Sequence, residues 1–294
     1  VLSGSSAGAI MTGMLGVSSA DKIPELLEGE HFFSDAFQFR KISELIRGHG
    51  GIADVMYLKK FLMQNLGDVT FAEAYQQSKR HINIVIAPYN TAQNPRIMNA
   101  LTAPNVLVWS AVLASCAVPV LFPPVHLTSK RYDGQHTPYL ANTKWVDGSM
   151  RSDFPQEKMA RLYNINYTIA SQVNPHIVPF MQSDTERFRR DVLNWPKRII
   201  RHQGKSLALE VMDLTRNYMG SFFPIRRVLD HGYGILGQRY YGDVNIIAHY
   251  GLRHYSYMLK NPRPKLFKVL QQEGERATWP KISSIEIHAR IGKT

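Results

Sequence analysis

A five-residue stretch near the start of the chain, GSSAG, constrains the fold more than any other part of the sequence. A short apolar strand ends at Leu2 and a helix begins at Ala7, so Gly4, Ser6 and Gly8 form a G-x-S-x-G pattern at a sharp strand-to-helix turn. Such a turn pushes the serine oxygen out of the sheet edge, and glycines two positions away avoid collisions with the neighbouring backbone. The pattern predicts an α/β fold with Ser6 as a nucleophile, although a Gly/Ser-rich turn or a phosphate-binding loop can carry the same residues.

Strands and helices alternate along the first part of the chain. Thr70 and Glu73 have the spacing of a capping box, which predicts the start of a helix, and the β-branched run at residues 82–87 predicts a buried strand. This alternation predicts a mostly parallel sheet that helices cover on both faces. The predicted helices are Ala7–Leu15, Leu58–Leu66, Thr70–Lys79 and Trp109–Ala117, and the predicted strands after Leu2 are Ile82–Ala87, Lys144–Val146 and Tyr167–Val173.

The chain changes character near residue 180, where basic helical patterns begin. We therefore predict a catalytic α/β domain at residues 1–180 and a mainly helical, basic extension at residues 181–294. The longest uncharged stretch, Val106–Val125, contains Pro119, Pro123 and Pro124, which a lipid-exposed span does not easily accommodate. It predicts a buried helix followed by an irregular apolar loop.

The net charge and the cysteine content indicate which partners and which cellular compartment to expect. The net charge of +12 predicts an anionic partner, such as a phospholipid surface, a nucleic acid or an acidic protein. Cys116 is the single cysteine, so no internal disulfide can form, and a reducing cytoplasm is the expected compartment. The apolar run around Cys116 predicts that its thiol is packed rather than reactive.

A serine hydroxyl attacks efficiently only when another group accepts its proton. Asp147 follows the apolar KWV and precedes Gly148, so its carboxylate lies where a strand stops and the backbone turns, within possible reach of the serine. An Asp-Gly pair is also common in ordinary turns. The alternative base is a histidine in the Ser-Asp-His triad of an α/β-hydrolase, for which the downstream candidates are His176, His231, His254 and His288.

Five separated blocks resemble the patatin-like phospholipases, and most closely their triacylglycerol-lipase branch. The blocks are GSSAGAI, PNVLVWSAVLASCAVPVLFPP, WVDGSMRSDFP, NYTIASQVNPHIVPF and EGERATWPKI, in the family's order from Leu2 to Ile282. The resemblance implies a three-layer αβα fold and a Ser/Asp dyad, with Ser6 as nucleophile and Asp147 as general base. It implies hydrolysis of fatty-acyl esters of triacylglycerol or phospholipid through an acyl-enzyme, without a metal or an organic cofactor. The sequence Asp147-Gly148-Ser149 is the variant associated with the triacylglycerol-lipase branch.

The family's oxyanion hole comes from a glycine-rich loop before the nucleophile turn. The sequence starts too late to contain that loop, so its oxyanion donors are unknown, and we expect an upstream strand and loop to be missing from it. Loss of one such donor lowers the rate roughly a hundredfold to a thousandfold. A catalytically silent lipid-binding protein of the same fold is therefore an alternative hypothesis.

The segment from Arg187 to Lys205 combines basic residues with Trp195 and aliphatic side chains. This pattern is typical of a helix on an anionic membrane surface, and equally of a solvated helix that packs its apolar side on the domain. We expect a cytoplasmic protein, peripheral to an anionic membrane or to lipid droplets, without nucleic-acid binding because no reader motif is present. The basic residues of the segment are Arg187, Arg189, Arg190, Lys197, Arg198, Arg201 and Lys205.

Overall fold

The computed structural model describes residues 1–28, 54–90, 93–119, 121–149, 155–173, 242–248, 254 and 263–291. Contacts between Cα atoms divide the chain into two units, residues 1–155 with 259–263, and residues 156–258 with 264–294. The predicted boundary near residue 180 and the basic segment Arg187–Lys205 both fall outside the described residues.

The first unit combines helices with short strands, as a mixed α/β fold. Its strands are β1 (Leu2–Gly4), β2 (Ile82–Pro88), β3 (Arg96–Met98), β4 (Leu127–Lys130), β5 (His136–Tyr139) and β6 (Trp145–Asp147). Its helices are α1 (Ala7–Val17), α2 (Ile23–Glu28), α3 (Val55–Leu66), α4 (Phe71–Ser78) and α5 (Val108–Ser115), with a 3-10 turn at Ala20–Lys22.

Strand β2 is the centre of a four-stranded sheet and is buried along its whole length. It pairs with β1 in parallel and with β3 and β6 in antiparallel orientation. A strand residue has one neighbour on each side, so a residue that pairs twice assigns its two partners to opposite edges. Strand β3 therefore occupies one edge of β2, whereas β1 and β6 share the other. The register that fixes this order pairs Ile84 with Gly4 and Met98, and Ile86 with Asp147 and Arg96.

The central sheet is thus only partly parallel in the described residues, whereas the alternation of elements predicted a mostly parallel one. The connection from β2 to β3 explains part of the difference, because it runs only from residue 89 to residue 95. A parallel crossover needs about a dozen residues or more, and a shorter connection returns the chain in the opposite direction.

Two helix starts show how local sequence sets the element boundaries. In α4, the backbone N–H of Thr70 donates to Glu73 Oε2 at 2.8 Å and the N–H of Glu73 donates to Thr70 Oγ1 at 3.2 Å, which is the predicted capping box. In α3, Asp54 Oδ1 accepts from the N–H of Met56 at 2.9 Å, so the helix begins three residues before the predicted Leu58.

The uncharged stretch Val106–Val125 contains a buried helix and then apolar loop residues, as predicted. All eight residues of α5 are buried, and they join a core that includes Phe71, Leu127 and Trp145. Within the described ranges, every helix is too short or too polar to cross a membrane.

The described residues of the second unit form one parallel strand pair and several helices. Its elements are α6 (Gln156–Tyr163), β7 (Ile169–Gln172), β8 (Val244–Ile247), α7 (Pro264–Thr278), a 3-10 turn at Trp279–Lys281 and α8 (Ile282–Ile291). Strand β7 lies within the predicted strand at residues 167–173, and it pairs with β8. The sequence did not predict β8, because its four residues, VNII, are too few to show a periodicity that separates a strand from a helix.

Candidate active site

The two turns that carry Ser6 and Asp147 follow strands that point toward each other. Strand β1 ends at Gly4 opposite Ile84, and the antiparallel strand β6 ends at Asp147 opposite Ile86. Both strands lie on the same edge of β2, with a single β2 residue between the two pairing positions. The sheet therefore brings the two turns together end to end, rather than side by side as in a parallel sheet.

The turn at Ser6 has a strained backbone. Ser6 has φ 53° and ψ −121°, a region that residues with a side chain rarely adopt, and it lies immediately before the first residue of α1. The preceding Gly4 is required by space, because a Cβ there would lie 2.2 Å from the carbonyl oxygen of Gly8 and 2.6 Å from Thr12 Oγ1. The strand-to-helix junction therefore has the sharp geometry that the G-x-S-x-G spacing predicts.

The second glycine of the pattern has a different environment from the first. A Cβ at Gly8 would meet nothing within 4 Å, so the expected collision with neighbouring backbone is absent at this position. The steric explanation for G-x-S-x-G holds for Gly4 and is wrong for Gly8. Because Gly8 is in the first turn of α1, just after Ser6, its missing side chain leaves space beside the serine.

The turn at Asp147 is packed tightly against the centre of the sheet. A Cβ on Gly148 would lie 2.7 Å from the carbonyl carbon and oxygen of Val85, so close approach to β2 requires this glycine. The Asp147 side chain is 1% exposed, and its Oδ1 accepts from the N–H of Ser149 at 2.8 Å and from the hydroxyl of Ser5 at 3.5 Å. In the described part of the chain, Oδ2 is buried and accepts no well-formed hydrogen bond.

Burial changes the acidity of this carboxyl group. It raises the pKa of Asp147 from the ordinary value of 3.8 to about 6, and hydrogen bonds from Ser149, Ser6 and Ser5 offset part of that rise. The hydroxyl of Ser6 is thus among the groups that lower the pKa of this carboxyl group. Asp147 is mostly ionised at pH 7 and can take up a proton near neutrality, as a general base must.

The carboxyl end of α5 contacts both turns. Ser115 Oγ accepts from the backbone N–H of Ser6 at 3.0 Å, and the carbonyl oxygen of Ala117 accepts from the N–H of Asp147 at 3.1 Å. Between them, Cys116 is buried, and burial together with the nearby charge of Asp147 raises the pKa of its thiol well above the ordinary value. The thiol is therefore packed and unreactive, as the sequence predicted.

Sequence reasoning did not single out Ser5, Ser115 or Ser149, which all act on the two turns. One feature of the sequence could have indicated Ser115: its hydroxyl lies in a mostly apolar run that was predicted to be buried. Such a group needs hydrogen-bond partners inside the protein. Which partners it finds depends on residues about thirty and about a hundred positions away, which spacing alone does not reveal.

Two of the four candidate histidines lie in the described residues, and each has a partner of its own. His254 Nε2 lies 3.0 Å from Glu273 Oε2, and His288 Nδ1 lies 2.8 Å from the carbonyl oxygen of Ser284, whereas His176 and His231 lie outside the described residues. None of the described histidines is among the groups that shift the pKa of Asp147. The described residues also contain no cluster of three or more His, Cys, Asp or Glu side chains that could hold a metal ion.

Residues 1–159, which include both turns and the end of α5, match the family model described as patatin-like phospholipase. The chain is a member of the patatin-like phospholipase family. The turns at Ser6 and Asp147 of this patatin-like chain therefore lie in the region that the family shares.

Several curated relatives of this patatin-like chain are triacylglycerol lipases by name. Triacylglycerol lipase 4 of Saccharomyces cerevisiae is 32% identical over 98% of the chain, and triacylglycerol lipase ptl3 of Schizosaccharomyces pombe is 30% identical over 99% of it. Triacylglycerol lipase SDP1L of Arabidopsis thaliana is 28% identical, also over 99% of the chain. The alignments cover only 34%, 61% and 37% of these three relatives, so the chain spans less than two thirds of their length.

Proposed function

We propose that the protein is a serine lipid acyl-hydrolase in which Ser6 is the nucleophile and Asp147 is the general base. The observation that carries the proposal is the meeting of the two turns, a strained serine at the amino end of α1 beside a buried carboxyl group whose pKa is about 6. A carboxylate that is ionised at neutral pH and close to a serine hydroxyl can accept its proton without an imidazole between them.

The reaction that fits this geometry has two stages. The Ser6 oxygen attacks the carbonyl carbon of a fatty-acyl ester while Asp147 takes the hydroxyl proton, and the same proton then passes to the departing alcohol oxygen. The carbon–oxygen bond to the alcohol breaks and leaves an acyl-enzyme ester on Ser6. Water then attacks this ester as Asp147 takes a proton from it, the fatty acid departs, and the proton returns to the Ser6 oxygen.

The start of α1 supplies one group for the oxyanion that forms during each attack. In the described part of the chain, the N–H groups of Gly8 and Ala9 donate to the carbonyl oxygens of Ser5 and Ser6, whereas the N–H of Ala7 donates to none. Ala7 follows the nucleophile directly, where the positive end of the helix dipole also stabilises negative charge. We assign the Ala7 N–H as one oxyanion donor, and its partner donor stays unassigned.

The family and the names of the relatives favour long-chain lipid esters as substrates. We propose triacylglycerol or phospholipid as the substrate, and the three-layer αβα arrangement of the family as the fold that holds the site. An enzyme acting on such esters works at an interface, so we also propose a cytoplasmic location, peripheral to an anionic membrane or to lipid droplets. The net charge of +12 and the basic segment Arg187–Lys205 support this location.

A fluorophosphonate probe tests the nucleophile, because it reacts covalently with an activated serine. We expect wild-type protein and Ser3→Ala to be labelled and Ser6→Ala to remain unlabelled. Ser3 is a matched control, since it is the same residue type on β1 with its side chain exposed. Labelling that persists in Ser6→Ala, or an unlabelled wild type, would contradict the proposal. Release of fatty acid from triacylglycerol and from phosphatidylcholine emulsions then distinguishes the two substrates.

Vesicle flotation tests the membrane surface. We expect wild-type protein to float with anionic vesicles, and a variant with Arg189, Arg190, Arg198 and Arg201 changed to Glu to stay in solution. A control with the same change in net charge reverses four exposed residues outside that segment: Arg263, Lys265, Lys268 and Arg276. Equal loss of flotation in both variants would show that overall charge, and not the segment Arg187–Lys205, drives binding.

A further inference from the structure

The carboxyl end of α5 links the nucleophile turn to the central strand through one hydroxyl group. Ser115 Oγ donates to the carbonyl oxygen of Val85 at 2.7 Å and accepts from the backbone N–H of Ser6 at 3.0 Å. Ser115 is 0% exposed and Val85 is 1% exposed, so the contact between them is buried, whereas the contact with Ser6 is partly buried. A serine hydroxyl has one hydrogen, and since it is given to Val85, the oxygen lone pairs are directed toward Ser6.

This contact is formed by Ser6, whose backbone conformation is strained. A non-glycine residue at positive φ is strained by about 1 to 3 kcal/mol and keeps that conformation only when its surroundings hold it. Ser6 has φ 53°, and its own side chain forms no cap hydrogen bond with α1. The chain of hydrogen bonds from Val85 through Ser115 to Ser6 fixes the peptide on the amino side of this strained residue to the buried central strand of the sheet.

The same segment also holds the acid turn. The carbonyl oxygen of Ala117, two residues after Ser115, accepts from the N–H of Asp147, and the thiol of Cys116 donates to the carbonyl oxygen of Ser6 at 3.4 Å. One short segment thus fixes the backbone of both turns relative to each other. A shift of the Ser6 peptide would change the distance between its hydroxyl and the Asp147 carboxylate.

We propose that Ser115 is a positioning residue, which keeps Ser6 in its strained conformation and its hydroxyl facing Asp147. The inference rests on the proposed function, since it concerns the attack by Ser6. Without the Ser115 hydroxyl, the N–H of Ser6 and the carbonyl oxygen of Val85 both lose a buried partner, and the turn relaxes toward an unstrained conformation. Binding of the acyl chain does not depend on this contact, so the chemical step is affected and substrate affinity is not.

The test compares Ser115→Ala with Ser110→Ala in the full chain. Ser110 is a matched control, because it lies on the same helix, is 0% exposed, and forms hydrogen bonds with Leu107 and Thr128 instead of with the nucleophile turn. We expect Ser115→Ala to lower kcat and the rate of fluorophosphonate labelling roughly tenfold, with KM unchanged, because the hydrogen bond that holds the Ser6 peptide is lost together with the one to Val85. Ser110→Ala should lose similar stability and keep the wild-type labelling rate.

Amide hydrogen exchange at Ser6 gives a second measurement that needs no activity. We expect faster exchange at this amide in Ser115→Ala than in wild type or in Ser110→Ala. Equal labelling rates in the two variants would overturn the positioning role and leave the proposed function intact. If wild-type protein is not labelled at all, the proposed function fails, and the exchange measurement alone decides whether Ser115 holds Ser6: unchanged exchange in Ser115→Ala overturns it.

Discussion

The buried carboxyl group of Asp147 makes the first unit less stable at neutral pH than it would be with a neutral side chain. The pKa of Asp147 rises from 3.8 to about 6, mainly through burial, and two pKa units correspond to about 3 kcal/mol. Since the folded state binds this proton more tightly than the unfolded state, the stabilising contribution is complete below about pH 4 and is lost as the pH rises through about 6. At pH 8 the folded protein carries the full cost of a buried charge.

Asp147→Asn removes the charge and keeps the size of the side chain. Its carbonyl oxygen can still accept from the N–H of Ser149, whereas its NH2 group replaces a buried oxygen that accepts no well-formed hydrogen bond from the described residues. An unpaired amide group costs about 1 kcal/mol or more, so the net gain at pH 8 is about 2 kcal/mol. The variant should therefore unfold at higher urea concentration than wild type at pH 8, and at slightly lower concentration at pH 4.

Urea titrations of both proteins from pH 4 to pH 8 measure this difference in the free energy of unfolding. Asp133→Asn is the control, because it makes the same substitution at an exposed loop carboxylate. Hydrolysis by Asp147→Asn should fall by roughly a hundredfold to ten thousandfold, the contribution of a general base, despite the greater stability. A difference between Asp147→Asn and wild type that does not change with pH would refute the reasoning.

Three further substitutions have definite outcomes. Ser5→Ala removes a hydroxyl that lowers the pKa of Asp147, so the acid limb of kcat/KM, expected near pH 6, should move to higher pH; an unmoved limb would contradict this. Gly148→Ala should prevent folding of the first unit, because its Cβ would lie 2.7 Å from the β2 backbone, whereas Gly8→Ala should fold. Circular dichroism distinguishes the two outcomes, and a folded Gly148→Ala would show that β2 can move. Thr70→Ala should lower the free energy of unfolding by about 1 kcal/mol in urea, without changing the labelling rate.

The features that the sequence predicted well are those that depend on neighbouring residues. The capping box at Thr70, the buried strand that starts at Ile82 and the buried helix ending at Ser115 all follow from short-range spacing and apolar runs. Strand direction was predicted less well, because it depends on connections and on pairing between residues far apart. Strand β6 pairs with β2 across roughly sixty residues, and nothing within the KWVDG stretch states in which direction it runs.

The same distinction between local and long-range features applies to the candidate site. Ser6 and Asp147 could be chosen from the sequence because each occupies a turn that few residues can form, with Gly4 and Gly148 excluded from having a side chain by contacts below 3 Å. The hydroxyl that supports Ser6 could not be chosen, because Ser115 and Ser110 look alike in sequence. Both are serines in the same apolar helix, and only the fold directs one of them toward the nucleophile turn.

The geometry also bears on how a pH profile of this protein should be interpreted. A pKa of about 6 lies close to the ordinary value of about 6.5 for histidine, so an acid limb in this region would ordinarily be assigned to an imidazole. Here the two strands end opposite Ile84 and Ile86 on one edge of β2, which favours the proposed direct contact between the serine and the carboxyl group. The acid limb of the pH–rate profile alone does not distinguish a histidine base from Asp147. The difference in stability between wild type and Asp147→Asn does distinguish them. Its pH dependence arises only from the carboxyl group, and the difference stops changing above the pKa of folded Asp147, about 6. A kinetic limb with that same pKa would therefore identify Asp147 as the titrating base.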